Sequence, residues 1–484
     1  DTDVLVLFLE TLRNHADVDE LARMASRAGK PVMTYVLGRS DLGRTLAQSH
    51  TGAMVGQAGV LDAYVAARGF VRVSLFESLF EAPQLLAGRK PILRPAGERR
   101  VALATTTGGG AGLVADHLGE RGIELVVPTE QLRAELGVHG LDIQPSPIVD
   151  LTMAGTREAI VDTIMSGFIA DERVDAIIMV IGSTAQSYPE LVVKPLAKWA
   201  KAGKPIVTFL FPDAMASLTL LAEAGIPGFR TPEACADAVA AYLTWQPLRE
   251  AAPGALSPES KSLIDSIARA KRSDELTALG LFASLGVPTP RMARMTGADD
   301  AMADITFPVV AKILSADIAH KSEVGGVRLG LVDAEALRMA AADLLRDVPA
   351  KAPGARIEGV LVQEQSRGIG EAIVGYRQDP LVGPIVVVGM GGILAEVYGD
   401  IAVRPAPVDL AQAHQMIAQV KGSAPLRGFR GLPRGDLDAL AHVVVALSRL
   451  AYAAPAIAEA EINPVIVRHA GEGVVAVDGL VVAG

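Results

Sequence analysis

Length, composition and charge limit what this chain can be. Its 484 residues are half apolar and 21% charged, which predicts several folded domains rather than a disordered polypeptide. A formal net charge of −10, with no basic block to offset it, argues against a nucleic-acid-binding protein. The longest apolar runs have the length of a strand, so we expect no membrane span. The single cysteine rules out a disulfide framework within the chain and favours the cytoplasm.

The first block of the chain, residues 1–94, alternates predicted strands and helices. Val4–Leu9 and Pro31–Leu37 have the apolar composition of buried parallel strands, with a helix predicted after each. This alternation is typical of a parallel α/β sheet. Because a strand follows Asp1 without a preceding turn, we expect the natural N-terminus to lie upstream.

The segment 43–56, GRTLAQSHTGAMVG, surrounds His50 with small and hydroxyl residues. Small neighbours leave room for a bulky anion beside the imidazole, and glycine lets backbone N–H groups approach it. Glu10, at the end of the first strand, could orient the imidazole by accepting from a ring nitrogen. Taken alone, the two residues also fit a hydrogen-bonded loop histidine and an exposed carboxylate at the start of a helix.

The second block, residues 98–247, repeats the alternation after a linker rich in proline and basic residues. We predict a flavodoxin-like, doubly wound domain with strands at Val101–Thr105, Ala176–Ile181 and Ile206–Phe211. Gly108–Gly110 is a predicted turn before a helix over 112–121. Such a glycine turn suits phosphate, and tight packing of the helix on the sheet is the alternative explanation.

The third block, residues 260–484, has segregated strands and helices, which predicts an α+β domain. Several strands alternate polar and apolar residues, as in antiparallel sheets with one wet face. Asp333 is the predicted N-cap of a helix with one apolar face. The predicted strands are Val309–Leu314, Val360–Glu364, Glu371–Gly375, Ile385–Val388, Val465–Val467 and Val474–Val477.

A lysine and a histidine stand out in segment 312–330, KILSADIAHKSEVGGVRLG. Lys312 ends an apolar strand, from which its ammonium could reach nucleotide phosphates as a point charge. His320 follows in a polar stretch before a pair of glycines. A solvated hairpin would explain Lys321 and Glu323 as surface charges, but it would not explain the apolar surroundings of Lys312.

Two C-terminal segments carry hard oxygen ligands. Residues 459–464, EAEINP, and residues 474–478, VVAVD, are predicted neighbouring strands that present Asn463 and Asp478. A turn at 469–473 would bring both oxygens onto one Mg²⁺ beside Lys312, because antiparallel strands lie about 5 Å apart. A surface hairpin without a metal is the alternative.

Together, and in this order, these motifs resemble the ADP-forming acyl-CoA synthetase family, relatives of succinyl-CoA synthetase. SHTGAMVG, with Glu10 forty residues before His50, is similar to the phosphohistidine segment of that superfamily. LGVPTP, FPVVAKILSADIAHKSEVGGVRLGL and EINPV are similar to its ATP-grasp half. The resemblance covers essentially the whole chain. It implies two flavodoxin-like parallel-sheet domains, at 1–94 and 98–247, followed by an α+β ATP-grasp domain at 260–484.

The resemblance also implies roles for the two histidines. His50 would be the phosphorylated histidine that serves the acyl site, with Glu10 steadying it. His320 would lie on a swinging loop and carry phosphate to and from the nucleotide. Gly109 and Gly110 match a glycine turn that faces the phosphohistidine.

The remaining implied roles concern ATP and its metal ion. Lys312 would contact the ATP phosphates. The resemblance places Glu364 and Gln365 at the adenine and Glu371 at the ribose. The implied magnesium ligands are Asn463 and Asp478.

The implied reaction joins a carboxylic acid to CoA. ATP would phosphorylate His320, the phosphoryl group would pass to His50 and then to the carboxylate, and CoA would attack the resulting acyl phosphate. ATP, Mg²⁺ and CoA as co-substrate are therefore expected, without nucleic acid or membrane as partners, and we expect a homodimer. The acid stays open among acetate, other aliphatic acids and aromatic acids such as hydroxycinnamates.

Two departures from the family pattern affect these expectations. The family shows TNAGGPG where this chain has Thr106, Thr107 and Ala111, which predicts an altered acyl site. The N-terminal CoA-binding Rossmann domain of the family is not among these residues, so no CoA site is identifiable in them.

Three other functions compete with this interpretation. An acyl-CoA- or ATP-sensing regulatory scaffold, or a protein acyltransferase, would keep the fold without the synthetase reaction. An ATP-grasp ligase that joins a carboxylate to an amine would give the SHTGAMVG segment no role. A plain ATP-binding module would explain neither histidine.

Overall fold

A computed structural model describes residues 2–10, 12–37, 59–249, 255–297, 300, 305–318, 320–391 and 400–484. The chain divides into two compact units, Asp1–Arg249 and Glu250–Gly484, called here unit 1 and unit 2. The three-domain division stays a prediction, because a division into two units does not separate its first two domains. No described helix is long and apolar enough to cross a membrane.

Unit 1 begins with a small parallel sheet of three strands, in the order β1-β2-β3. The strands are β1 (Leu5–Leu9), β2 (Val32–Val36) and β3 (Val71–Val73). Asn14 starts the first helix because its side chain accepts the backbone N–H of Ala16 at 3.0 Å, which satisfies an otherwise unpaired donor. The helices of this part are α1 (His15–Arg27), α2 (Val60–Ala67), α3 (Ser78–Glu81) and α4 (Pro83–Leu86).

The rest of unit 1 is a parallel sheet of six strands. The order is β5-β4-β7-β8-β9, and β6 pairs with the far part of β4. The strands are β4 (Arg100–Thr105), β5 (Glu124–Leu125), β6 (Ile148–Asp150), β7 (Ala176–Ile181), β8 (Ile206–Leu210) and β9 (Gly228–Phe229). The helices are α5 (Gly108–Glu120), α6 (Glu130–Val138), α7 (Glu158–Ala170), α8 (Thr184–Ser187), α9 (Pro189–Ala197), α10 (Met215–Glu223) and α11 (Pro232–Thr244).

Both faces of this sheet are buried, as the apolar composition of its strands predicts. Along β7, Ile178 and Val180 belong to one core, whereas Ile177 and Met179 belong to another core on the opposite face. Helices therefore cover the sheet on both sides, and the predicted doubly wound architecture is confirmed.

Unit 2 contains a small antiparallel sheet in the order β10-β13-β11-β12. Its strands are β10 (Met292–Met295), β11 (Val309–Leu314), β12 (Val327–Leu331) and β13 (Gly359–Glu364). Helix α14 (Ala334–Lys351) packs on one face, and the Asp333 side chain caps it by accepting the Ala336 N–H at 2.8 Å, as predicted. Because Val309, Ala311 and Ile313 point toward α14, Lys312 points to the other face.

The second sheet of unit 2 is larger and also antiparallel, in the order β16-β15-β14-β17-β18, with β19 paired to β17. Its strands are β14 (Gly370–Asp379), β15 (Gly383–Met390), β16 (Ile401–Pro405), β17 (Ile457–Val467), β18 (Val474–Ala476) and β19 (Gly479–Ala483). The helices are α12 (Pro258–Ala270), α13 (Glu275–Ser284), α15 (Leu410–Gln419) and α16 (Leu437–Ser448). The predicted α+β class with antiparallel sheets is confirmed for this unit.

Candidate active site

A buried carboxylate lies at the centre of the candidate site in unit 2. Glu275 opens helix α13, where the Asp274 side chain caps the helix by accepting the Thr277 N–H at 2.6 Å. The helical repeat puts Glu275 on the same face as Leu279 and Phe282, which are core residues. Its side chain is 0% exposed, so the fold carries a carboxylate out of water.

Two lysines neutralise this carboxylate, one at each oxygen. Lys312 Nζ lies 2.6 Å from Glu275 Oε1, and Lys321 Nζ lies 2.8 Å from Oε2. The lysine side chains are only 7% and 9% exposed. The interpretation of Lys321 as a solvated surface charge is therefore wrong, because the chain folds its side chain inward to pair with a carboxylate that the sequence did not reveal.

Asp478 completes the group on its more exposed side. Its Oδ2 lies 3.5 Å from Lys312 Nζ and its Oδ1 lies 3.5 Å from Lys321 Nζ, and the side chain is 32% exposed. We call Glu275, Lys312, Lys321 and Asp478 the lysine–carboxylate cluster. Its formal charges sum to zero, and the two contacts with Asp478 are longer than those with Glu275.

Electrostatics in the cluster follow from burial and pairing. Burial raises the pKa of Glu275, and the two ammonium groups oppose that shift. Burial also disfavours the charged form of Lys321, but the Glu275 and Asp478 carboxylates outweigh it and raise the pKa of Lys321 above its usual value. Buried charges of this kind contribute little net stability, so their concentration in one place indicates a functional site.

A glutamine and a backbone carbonyl connect the cluster to both sheets of unit 2. The Val477 carbonyl accepts from Lys312 Nζ at 2.7 Å and from Gln363 Nε2 at 3.1 Å. Gln363 lies opposite Val310 in the β11–β13 ladder and therefore on the same face as Lys312. The site thus forms where the small sheet meets the end of β18, and Gln363 is a member that the sequence analysis missed.

Two glycines allow the close backbone approach that the cluster needs. A Cβ on Gly479 would lie 2.4 Å from Phe282 Cε2, so β19 can begin directly after Asp478 only with glycine there. A Cβ on Gly326 would lie 2.9 Å from the Lys321 carbonyl oxygen, which accepts the Gly326 N–H at 2.7 Å. Because the Gly326 carbonyl in turn accepts the Ile313 N–H at 2.8 Å, this turn holds the Lys321 backbone next to β11.

The predicted magnesium ligands lie opposite each other. The Asn463 N–H donates to the Asp478 carbonyl at 3.2 Å, and the flanking pairs Ile462–Gly479 and Val465–Ala476 set the register. Directly opposite residues of an antiparallel pair share a face, so the amide and the carboxylate can approach one ion. The predicted hairpin is confirmed, and the shared metal site stays a prediction.

The donor set of this pair fits a phosphate-bound metal. In the described part of the chain, no group of three or more His, Cys, Asp or Glu side chains is arranged to hold a metal. Mg²⁺ beside nucleotides takes only one or two protein oxygens and completes its shell with phosphates and water. Asn463 and Asp478 supply two such oxygens next to two lysines that can contact the same phosphates.

His320 directly precedes the buried Lys321. The histidine is exposed, and its backbone carbonyl accepts the Glu323 N–H at 3.2 Å. An exposed imidazole thus adjoins a lysine that is anchored in the cluster. This places the predicted phosphate carrier next in the chain to a lysine that shares the Glu275 carboxylate with Lys312, the predicted phosphate-binding residue.

The residues predicted for adenine and ribose lie at the ends of β13 and β14. Glu364 Oε1 accepts the Thr306 N–H at 3.0 Å, so this carboxylate already orders the chain before β11. Gln365 Oε1 is buried and has no hydrogen-bond partner among the described residues, which suits a donor on a bound ligand. Glu371 is exposed at the start of β14. Their nucleotide contacts stay predictions.

In unit 1, the predicted phosphohistidine and its partner are only partly described. Glu10 follows β1 directly and is exposed. His50 lies outside the described residues, so its pairing with Glu10 stays a prediction. Position 10 does agree with a role at the carboxyl ends of the strands, where open α/β sheets bind ligands.

The glycines predicted to form a turn are part of helix α5. Gly108–Gly110 makes up its first turn, so the predicted helix start at residue 112 is wrong. The first N–H groups of a helix have no intrahelical acceptor, which is why glycine is tolerated there. A Cβ on Gly110 would lie 3.1 Å from Val180 Cγ1, whereas a Cβ on Gly109 would meet nothing within 4 Å. Packing therefore explains Gly110, and Gly109 leaves open space at the positive end of the helix.

Four aromatic side chains, the first of them two residues before Glu10 in the chain, form a partly exposed surface. The Phe8 and Tyr35 rings stack at 5.7 Å, and Phe76 meets them edge-on at 5.8 and 5.9 Å. Phe80 extends the group at 5.0 Å from Phe76. Phe8, Phe76 and Phe80 are 45%, 46% and 67% exposed. We call these four residues the aromatic surface; composition gave no sign of it.

Comparison with known proteins gives the same assignment as the geometry. A family model described as an ATP-grasp domain matches residues 267–482, and one described as a succinyl-CoA ligase-like flavodoxin domain matches residues 1–86. These matches confirm the predicted fold of both regions.

Several relatives match nearly the whole chain, and three of them are described here. An ADP-forming acetate–CoA ligase of Archaeoglobus fulgidus is 30% identical over 98% of this chain and 69% of its own length. A trans-feruloyl-CoA synthase of an unknown prokaryotic organism is 30% identical over 99% of this chain and 69% of its own. An ADP-forming 4-hydroxybutyrate–CoA ligase of Nitrosopumilus maritimus is 27% identical over 98% and 69%. With both domain types and this extent of identity, the chain belongs to the ADP-forming acyl-CoA synthetase family.

Proposed function

We propose that this chain catalyses the ADP-forming synthesis of an acyl-CoA from a carboxylic acid, ATP and CoA. The lysine–carboxylate cluster beside His320 is the observation that carries the proposal. Two buried ammonium groups, one on strand β11 and one in the connection to β12, can hold phosphates, and the exposed imidazole next to the second is a nucleophile near neutral pH. A nucleotide-binding module without transfer chemistry would not require that histidine.

The proposed reaction proceeds by successive phosphoryl transfers. An imidazole nitrogen of His320 forms a bond to the γ-phosphorus as the bond to ADP breaks. The phosphoryl group passes to His50, and a substrate carboxylate oxygen then takes it from that imidazole to form an acyl phosphate. The CoA thiolate attacks the acyl carbon and releases phosphate. Each step replaces one bond with another, so no oxidant or reductant is needed.

The charges around the nucleotide act on the first transfer. Lys312 would bind the phosphates as a fixed point charge, and Asn463 with Asp478 would hold Mg²⁺, which offsets the negative charge of the phosphates. Gln365 would accept a hydrogen bond from the base through its buried oxygen, and Glu371 would meet the ribose.

The proposal extends to the class of carboxylic acid that serves as substrate. The aromatic surface includes Phe8 and Tyr35, near the carboxyl ends of β1 and β2, and it favours a bulky apolar or aromatic acid over acetate. One relative of the chain is a trans-feruloyl-CoA synthase, and others act on acetate and 4-hydroxybutyrate. The departures from the family pattern at Thr106, Thr107 and Ala111 agree with an altered acyl site.

Phosphohistidine formation tests the proposal directly. With γ-labelled ATP and Mg²⁺, the chain should acquire an acid-labile, base-stable label. His320→Ala should prevent labelling from ATP, and His50→Ala should prevent the overall reaction while nucleotide binding persists. With the upstream CoA-binding domain restored, release of ADP that depends on both CoA and one acid of a panel from acetate to hydroxycinnamates would identify the substrate.

The same assay separates the competing functions. A sensing scaffold would bind ATP without forming a base-stable phosphoryl label, and a carboxylate–amine ligase would consume ATP with an amine in place of CoA. A cytoplasmic homodimer is the proposed setting, since a single cysteine agrees with a reducing compartment. Light scattering at several concentrations measures the oligomeric state.

A further inference from the structure

Lys321 differs from Lys312 in how it is held, although both contact the same two carboxylates. Lys312 extends from strand β11 and also donates to the Val477 carbonyl at 2.7 Å. Lys321 lies in the connection between β11 and β12, and in the described part of the chain its ammonium contacts only Glu275 and Asp478. Lys321 is therefore the cation of the cluster that can leave while the strands stay in place.

The side chain of Lys321 also fixes the segment that carries His320. Glu275 is buried in unit 2 at the start of α13, so its 2.8 Å contact with Lys321 ties the connection to the core. On the backbone side, the Gly326 N–H donates to the Lys321 carbonyl at 2.7 Å. His320 thus stands one residue from an anchored position, and its own side chain is exposed.

Charge balance shows when this anchor weakens. Two ammonium groups and two carboxylates neutralise each other in the cluster as the structure shows it. If Asp478 turns to a metal ion, Glu275 alone faces two lysines, and one positive charge is left for phosphate. The longer contacts of 3.5 Å at Asp478 are the ones that such an exchange would replace.

We propose that Lys321 is a positioning residue for His320, holding its segment against Glu275 and Asp478 until nucleotide and metal bind. Asp478 then exchanges Lys321 for the metal ion, and the segment that carries His320 is released for transfer. This rests on the proposed function, because the exchange needs a nucleotide site at Asp478. It explains why a lysine next to the proposed phosphate carrier should be buried at all.

Hydrogen exchange of the amides in residues 315–331 tests both halves of the proposal. Without ligand, Lys321→Met should make these amides exchange at least about tenfold faster, since it removes a buried ion pair. Glu275→Gln removes the charge of the carboxylate that pairs with Lys321, so it should also speed exchange of these amides. It replaces Lys321→Met in the test if that variant folds poorly. Ser322→Ala, an exposed neighbour, is the matched control and should exchange like the unchanged chain.

The second arm adds Mg²⁺ and ADP to the unchanged chain, with bound ADP measured by equilibrium dialysis. Exchange in 315–331 should rise toward that of Lys321→Met, and the variant should show little further change. Unchanged exchange in ligand-free Lys321→Met and Glu275→Gln overturns the anchor, whatever the activity. Bound ADP without faster exchange overturns the release and leaves the proposed function standing. A chain that binds no ADP overturns the proposed function and the release together.

Discussion

The lysine–carboxylate cluster of unit 2 and the amino end of helix α5 in unit 1 are both predicted phosphate sites, and they differ in where their positive charge comes from. The cluster uses buried side-chain charges that must be neutralised by other buried charges. The helix end uses backbone N–H groups, which need no counter-charge and only require space. Substitutions should therefore act differently in the two places. Removal of a charged side chain should impair phosphate transfer at the cluster, whereas addition of a side chain should impair it at the helix end.

The largest expected effect is the loss of Lys312. Lys312→Met removes the fixed cation of the predicted phosphate site, and phosphohistidine formation should fall about 10²–10³-fold, as when one preorganised donor is lost. Lys321 still pairs with Glu275, and Gln363 still donates to the Val477 carbonyl, so the fold should persist. Quenched-flow labelling from γ-labelled ATP measures the rate.

The matched control is Lys261→Met, which changes an exposed lysine of helix α12 in the same unit. It should label at the rate of the unchanged chain. Labelling of Lys312→Met at that same rate would show that the cluster is a structural ion-pair group only.

The second largest expected effect is a loss of stability when Gly479, which packs closely against Phe282 directly after Asp478, is replaced. Gly479→Ala places a methyl group 2.4 Å from Phe282 Cε2 and 3.0 Å from the Glu461 carbonyl oxygen. Overpacking of this kind should cost about 1–3 kcal/mol and lower the apparent melting temperature. Gly280→Ala, in helix α13, meets nothing within 4 Å and should leave stability unchanged or raise it slightly. Equal melting temperatures for the two variants would contradict the packing argument.

The fold could largely be predicted from the sequence because its signals are local. β7 and β11 have the predicted bounds, since each is an unbroken apolar run of strand length. Asp333 was predictable as an N-cap because capping depends on residues within one turn. The start of α5 was not, because glycine favours a turn in isolation, and only packing against Val180 shows why glycine opens this helix.

The candidate site was predictable only in part. Lys312 and Asp478 follow from strand ends, and the cluster does bring them together. Glu275 was missed because an acid after an N-cap resembles a surface residue that favours the helix dipole. The spacing of Glu275, Ala278, Leu279 and Phe282 did contain a signal, since it puts the acid on the apolar face. The burial of the Lys321 side chain depends on its pairing with Glu275, so it could not be inferred while Glu275 was taken for a surface residue.

At the helix end, the two glycines should separate packing from function. Gly110→Ala must push Val180 and Thr107 from contacts at 3.1 Å, so it should destabilise unit 1 modestly. Gly109→Ala fills open space and gains up to about 1 kcal/mol of helix stability, but its methyl group would occupy the predicted phosphate position. We expect Gly109→Ala to slow acyl-phosphate formation without unfolding the chain. Full activity in a stable Gly109→Ala variant would show that phosphate does not bind at this helix end.

The smallest expected effect is a pH dependence of the stability of unit 1, which comes from an ion pair that belongs to neither predicted phosphate site. Asp19 accepts from Arg68 Nε at 2.5 Å and from the Tyr64 hydroxyl. Burial raises the pKa of Asp19, but these hydrogen bonds outweigh it and hold the pKa below its usual range. The resulting stabilisation is complete above the unfolded pKa of about 3.9 and is lost as the pH falls through the lower folded value. Between pH 5 and pH 3, the urea midpoint of the unchanged chain should therefore fall further than that of Asp19→Asn. The other carboxylates contribute equally to both proteins, so parallel losses would show that Asp19 does not titrate with folding.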